Sequence, residues 1–195
     1  MVGEDGETHQ GLFDVSMLSS IPKTVIYSPS NAEELRASMK KAIYICDGIV
    51  AVRYPKGEAI SGDSEKADYD LRFYEQENKA LIITYGRITE NALKAAKETK
   101  ADLLQMVKIY PIPKKALYIA QNYNKILFFE EGIRSGGIAE KFSSALTEQK
   151  WQGTFKITAI SDCFVKYADT EKQFSDFGLD TDGMIKTVGE VIEQT

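Results

Sequence analysis

Histidine occurs once in the 195 residues and cysteine twice, and that scarcity narrows the available chemistry. Cys46 and Cys163 lie far apart, form no C-x-x-C pair and have no partnering histidines. Neither a zinc site nor a disulfide scaffold is indicated, and the cysteine usage predicts reduced, mostly buried thiols in a cytoplasmic protein. Long apolar runs are also missing. Stretches such as Ala80-Leu81-Ile82-Ile83 are strand-length and far short of a membrane span. The opening Met1-Val2-Gly3-Glu4-Asp5 lacks the basic region and apolar core of a secretory signal. Neither sign of charge gathers into a long block. The 24 Lys+Arg against 29 Asp+Glu give a net charge of −5, which argues against a nucleic-acid surface while leaving room for a local basic pocket that takes a phosphate. No repeats or low-complexity segments occur.

The bulk is ordinary for a folded chain, with 43% hydrophobic and 27% charged residues. Short β-rich runs alternate with longer segments of helical period, the pattern of an α/β protein with a largely parallel sheet. A helix is expected over 11–19 and a strand over 24–27. Ser30 as N-cap with Glu33 three residues on forms a capping box that opens a helix through Leu35, Met39, Ala42 and Ile43. A strand over 49–54 is stopped by Pro55. From Lys56 to about Asn78 the periodicity fades into Gly, Ser, Asp, Glu and Lys, which is linker composition and predicts a boundary between units at 1–56 and 79–195.

Beyond the linker the alternation resumes, with strands over 80–84, 103–109, 126–129 and 155–160 and helices over 89–99, 114–122, 137–148, 170–177 and 181–193. That second unit is long enough to bury its own core. The first, with two strands, is not, and its open edge predicts a segment that is mobile or covered by a neighbouring chain.

Three residues stand out chemically. His9 sits among small and acidic residues in Gly3-Glu4-Asp5-Gly6-Glu7-Thr8-His9-Gln10-Gly11, where imidazole can hold or pass a proton and the glycines allow sharp turns near a ligand. Asp5 lies four residues before it. Arg53 ends a strand, the usual position of site residues in open α/β sheets, and its planar fork suits phosphate oxygens. A loop histidine fixing its own turn and an arginine paired with a nearby carboxylate are the plain alternatives. Glu130-Glu131-Gly132-Ile133-Arg134-Ser135-Gly136-Gly137 has glycines but no G-x-x-x-x-G-K-[ST], and two glutamates would repel an anion. It reads as a turn that packs on other domains.

Taken together, these residues resemble the 1-deoxy-D-xylulose-5-phosphate synthase family of the transketolase superfamily, over its C-terminal third. The resemblance is carried by Gly3 to Gly11, by Ser19-Ser20-Ile21-Pro22 with Ser28-Pro29-Ser30, and by Val50-Ala51-Val52-Arg53-Tyr54-Pro55-Lys56-Gly57. It continues through Glu130-Glu131-Gly132 with Gly136-Gly137, and Ser161-Asp162-Cys163-Phe164-Val165 with Gly178-Leu179-Asp180. Lys56 stands where the family often has arginine and is expected to face solvent.

The resemblance implies a fold: the second part of a transketolase-like pyrimidine-binding domain, followed by a transketolase C-terminal domain with a mostly parallel sheet. It also implies an activity, the decarboxylation of pyruvate on thiamine diphosphate and Mg2+ and transfer of the two-carbon unit to glyceraldehyde 3-phosphate. Asp5 and His9 would be catalytic and would touch the acceptor's hydroxyls and phosphate, with Arg53 on its phosphate. No cofactor-binding or metal-binding residue is assigned here. The family's magnesium-binding Gly-Asp-Gly motif and activating glutamate are not found in this sequence, so the chain alone is expected neither to bind the cofactor tightly nor to turn over pyruvate. A cytoplasmic homodimer completed by the missing N-terminal domains is expected, with no nucleic-acid or membrane partner. A subunit of a split transketolase, a 2-oxo-acid dehydrogenase β-subunit and a non-catalytic dimerisation or regulatory module are the other readings.

Overall fold

The computed structural model describes residues 1–58, 60–62, 69–77 and 79–193. In chain order the strands are β1 (Thr24–Tyr27), β2 (Ile49–Val52), β3 (Leu71–Tyr74), β4 (Leu81–Tyr85), β5 (Asp102–Met106), β6 (Lys108–Tyr110), β7 (Lys125–Ile133) and β8 (Thr154–Ile160). The helices are α1 (Asp14–Leu18), α2 (Ala32–Tyr44), α3 (Thr89–Thr99), α4 (Lys114–Ala120), α5 (Ile138–Glu148), α6 (Thr170–Asp176) and α7 (Thr181–Glu193).

The strands form two sheets, one ordered β2-β1-β6 and the other β3-β5-β4-β7-β8. In the larger sheet β5, β4, β7 and β8 run parallel, and β3 is an antiparallel edge. Every residue of β4 and β5 is buried, as expected of parallel strands covered on both faces. Because side chains alternate across a strand, the apolar run feeds two cores. Ile82, Leu103, Leu127 and Phe129 pack with Ala92, Ala96 of α3 and Met184, Val188 of α7. Leu81, Ile83, Leu104 and Phe128 pack with Ala116, Ala120 of α4 and Phe142, Leu146 of α5.

Connectivity decides where a ligand can sit. From β4 the chain steps to β5 on one side, then returns to place β7 on the other side of β4. The order therefore reverses between β4 and β7, and the carboxyl ends of those strands leave a crevice there.

Several expectations change. The stretch read as linker contains β3, whose Leu71 is buried; its charged neighbours mask a strand of only four residues. The expected strand over 103–109 is two strands broken at Val107: β5 joins the large sheet, and β6 leaves it to pair antiparallel with β1. The N-terminal pair β1–β2 thereby gains a third strand, which covers the edge of β1 and leaves the outer edge of β2 as that pair's open side. The α2 cap is Asn31, whose side chain accepts from the N–H groups of Glu33 and Glu34 at 3.1 and 3.0 Å. Ser30 instead donates its N–H and hydroxyl to Glu34 at 2.8 and 2.9 Å, and the buried Glu34 carboxylate also receives Gln105 of β5. The capping frame is thus one residue later than the sequence pattern suggests. Replacing Asn31 with alanine is expected to cost about 1 kcal/mol, measured by urea unfolding. Both cysteines are free, as expected, but Cys163 is exposed and Cys46 only half-buried.

Candidate functional site

A cavity of about 310 Å³ opens where the carboxyl ends of both sheets meet. Arg53, Lys56, Asp14, Tyr85, Arg87 and Glu131 are on its wall. Arg53 follows β2, and its backbone N–H still bonds the Tyr27 carbonyl at 2.8 Å, so the sheet holds its Cα. Its Nε donates to Asp14 Oδ2 at 2.6 Å, and its Nη2 donates to the carbonyls of Gly11 at 2.9 Å and Glu131 at 3.3 Å. The guanidinium also lies over the Tyr85 ring, 5.8 Å from its centroid. Burial opposes the Arg53 charge, yet Tyr85, Asp14 and Glu131 outweigh it and raise its pKa above the ordinary value. Arg53 is therefore a fixed cation.

Glu131 is held from both ends. Arg87 donates Nη2 to its Oε1 at 2.6 Å and Nε to its Oε2 at 3.1 Å, and the Met1 ammonium also pairs with Oε1. Burial pushes the Glu131 carboxyl up, but the terminal ammonium and Arg87 more than offset it, and the net shift is downward. Arg87 further stacks on Phe174, with its Cζ 4.8 Å from the ring centroid. Beside it Glu130 is fully buried. Its carboxylate accepts from Tyr85 Oη at 2.6 Å and from the N–H groups of Ile138 and Ala139, both at 2.9 Å. Glu130 thus closes the N-terminus of α5 and anchors the Tyr85 ring beneath Arg53.

Gly137 sits against this carboxylate: a Cβ there would lie 2.7 Å from both Glu130 Oε2 and the Ile133 carbonyl. Gly137→Ala is expected to destabilise the chain by about 1–3 kcal/mol in urea unfolding, because neither the backbone nor the locked carboxylate can yield.

The other two sequence candidates sit outside this wall. Two 3₁₀ turns, Gly3–Asp5 and Glu7–His9, are joined by Gly6 at φ +80°, a conformation that favours glycine. The buried Gln10 ties the loop together, donating to the carbonyls of Gly3 and Gly6 at 3.2 and 3.3 Å and accepting the Val2 N–H at 2.8 Å. Asp5 reaches the cavity rim through Lys56, whose Nζ is 2.7 and 2.8 Å from its two oxygens. Lys56 is largely exposed, in keeping with its expected solvent-facing position, but it also belongs to the cavity wall. His9 is exposed, 3.1 Å from Thr8 Oγ1 through Nδ1, and is not among the lining residues. The structure thus brings together Arg53, Lys56 and, through it, Asp5. Tyr85, Arg87 and the glutamate pair were missed as site residues. The strand-end position that singled out Arg53 holds equally for Arg87, just beyond β4.

Among the described residues no three His, Cys, Asp or Glu groups converge as a metal site. The cavity wall itself offers guanidinium and ammonium groups alongside the carboxylates of Asp14 and Glu131. No helix of the described residues is long and apolar enough to cross a membrane.

A mixed α/β fold whose strand-end cavity carries Arg53, Lys56 and Arg87, each paired with a carboxylate of Asp14, Asp5 or Glu131, is the class of protein the structure defines. The chain belongs to the transketolase family: the model of the transketolase C-terminal domain matches residues 71–184, and that of the transketolase pyrimidine-binding domain matches residues 1–60. It is 33% identical to the 1-deoxy-D-xylulose-5-phosphate synthase of Thermotoga petrophila, over 96% of this chain and 32% of that protein. The synthase of Listeria innocua is 30% identical over the whole of this chain and 33% of its own length. The chain thus spans about a third of the length of the curated relatives it matches. A solved split gene transketolase, titled an inactive beta4 tetramer, superposes with a TM-score of 0.81 at 22% identity, covering 95% of this chain and 63% of that one. That likeness bears on the fold, which is the expected mixed α/β architecture.

Proposed function

We propose that the chain is the acceptor-binding and C-terminal portion of a 1-deoxy-D-xylulose-5-phosphate synthase, a thiamine-diphosphate-dependent transferase. The intact enzyme joins the two-carbon unit of pyruvate, with loss of CO2, to glyceraldehyde 3-phosphate, a step of isoprenoid and thiamine biosynthesis. Thiamine diphosphate with Mg2+ supplies the carbanion chemistry when bound. This chain's residues bind and orient the acceptor. The observation that carries the reading is Arg53, a fixed cation on the cavity wall at the carboxyl end of β2.

Arg53 takes the phosphate, Lys56 extends the positive rim, and Asp5 at that rim meets the hydroxyl end of the acceptor; His9, on the same loop but outside the cavity lining, reaches the acceptor's proton only if that loop turns toward the cavity. The cofactor is held by parts of the enzyme outside this chain. We place the enzyme in the cytoplasm as a homodimer; two free cysteines favour the first, and the exposed Ile43, Tyr44, Ile45 and Ile49 beside the unpaired β2 edge favour the second. The split-gene transketolase likeness also fits a chain acting as one polypeptide of a two-part enzyme.

Calorimetric titration of the 195-residue chain tests the reading. Glyceraldehyde 3-phosphate is expected to bind and to weaken as salt rises, while pyruvate and thiamine diphosphate show no comparable heat. Absent glyceraldehyde 3-phosphate binding, or tight cofactor binding, would overturn it.

A further inference from the structure

We propose that Arg87 is a second anion-gripping side chain of the Arg53 cavity, so that the C-terminal sheet itself contributes to holding a phosphate monoester. The inference rests on the acceptor-binding reading and extends it across the domain boundary. Its first support is topology. Arg87 follows β4 and Glu131 belongs to β7, the two strands between which the chain order reverses, and open α/β sheets bind ligands in that crevice.

Proximity is the second support. Arg53 donates to the Glu131 carbonyl and Arg87 to the Glu131 carboxylate, so one residue anchors both guanidiniums beside the same cavity.

The third is unused hydrogen-bonding capacity. Arg53 and Arg87 commit Nε and Nη2, and among the described residues neither Nη1 takes a partner. Asp14 Oδ1, on another lining residue, is buried with no hydrogen-bond partner, an acceptor suited to a ligand hydroxyl. Two guanidinium groups and a waiting acceptor match a phosphate monoester that also carries a hydroxyl. Glu131 then acts as a built-in competitor: it holds Arg87 in place when no ligand is present and competes with an arriving anion for its donors.

This arrangement separates a ligand-binding Arg87 from a merely structural one. If Arg87 only braces Glu131, then Arg87→Ala and Glu131→Gln break the same bridge and shift phosphate affinity in the same direction. If Arg87 grips the anion, they shift it in opposite directions. The full chain is titrated with glyceraldehyde 3-phosphate and, separately, inorganic phosphate, with near-ultraviolet circular dichroism confirming that each variant is folded. Arg87→Ala is expected to weaken glyceraldehyde 3-phosphate about tenfold or more, Arg87→Lys to recover part of the loss, and Glu131→Gln to tighten binding several-fold.

Arg87→Ala binding like the unsubstituted chain, or Glu131→Gln weakening as Arg87→Ala does, would overturn the inference. Should Arg87→Ala fail to fold, the Arg87→Lys and Glu131→Gln pair decides by the same opposition. An Arg53→Ala variant read in parallel isolates the parent claim: unchanged affinity there removes Arg53 while leaving Arg87 standing. No binding to the unsubstituted chain removes both.

Discussion

Glu130→Ala is expected to cost about 3–5 kcal/mol of folding free energy, a large share of a typical domain's stability. The carboxylate is fully buried and satisfies three donors at once: Tyr85 Oη and the two N–H groups that open α5. Alanine strands all three and leaves a void beside Tyr85 and the first turn of α5. Urea unfolding monitored by circular dichroism measures the loss, and a cost below about 1 kcal/mol would show that the network is not what holds β7 to α5.

The pH dependence of the two glutamates should run in opposite directions. Burial raises the Glu130 carboxyl above its ordinary value despite its hydrogen bonds. Its favourable contribution is complete below about pH 4.5 and is lost as pH rises through its folded-state pKa. Glu131 is shifted downward, and its contribution is present above about pH 4.5 and lost as pH falls through its lowered value. Glu130→Gln should therefore remove a decline in stability with rising pH, whereas Glu131→Gln should remove a decline with falling pH.

Arg53→Ala has the largest effect expected on ligand binding: a loss on the order of 100-fold in affinity for glyceraldehyde 3-phosphate. The side chain is tied at once to α1, to the loop before it and to β7, through Asp14, the Gly11 carbonyl and the Glu131 carbonyl. Its removal also leaves Asp14 a partly buried carboxylate without its ion pair, so stability should fall as well. Arg53→Lys separates the two losses. The charge returns, but a point ammonium cannot bridge three acceptors and present a further donor edge, so stability recovers more than affinity. Equal affinity of Arg53→Ala and the unsubstituted chain would confine Arg53 to a structural role.

The architecture was legible where local pattern and burial agree. The run Ala80-Leu81-Ile82-Ile83 reads as a strand and 89–99 as a helix, and the structure packs Ala92, Ala95 and Ala96 of that helix in one core with Ala80 and Ile82. What stayed hidden depends on partners distant in sequence. The strand of residues 71–74 is a short edge whose Arg72 and charged surroundings look like a linker, and only pairing with β5 makes it a strand. The break at Val107 is invisible in an apolar run; the chain turns there because β1 offers an edge for β6.

The site divides the same way. Arg53 was readable from its place at a strand end within a motif. The glutamate pair read as a repulsive turn because sequence alone cannot show that Glu130 faces α5 and Tyr85, nor that Arg87 neutralises Glu131. His9 stood out by rarity, yet it is exposed and away from the cavity wall, whereas Asp5 meets the rim only through Lys56.

A nitrogen-15 NMR titration of the whole chain with glyceraldehyde 3-phosphate tests most directly whether the strand-end cavity is the acceptor site. Perturbations should concentrate at Gly11, Arg53, Lys56 and Arg87 and fade as salt is added. A second basic surface, with Lys108, Lys114 and Lys115 around another cavity, supplies the contrast. Shifts confined to those lysines, or no shifts at all, would contradict the assignment of acceptor binding to Arg53 and its neighbours.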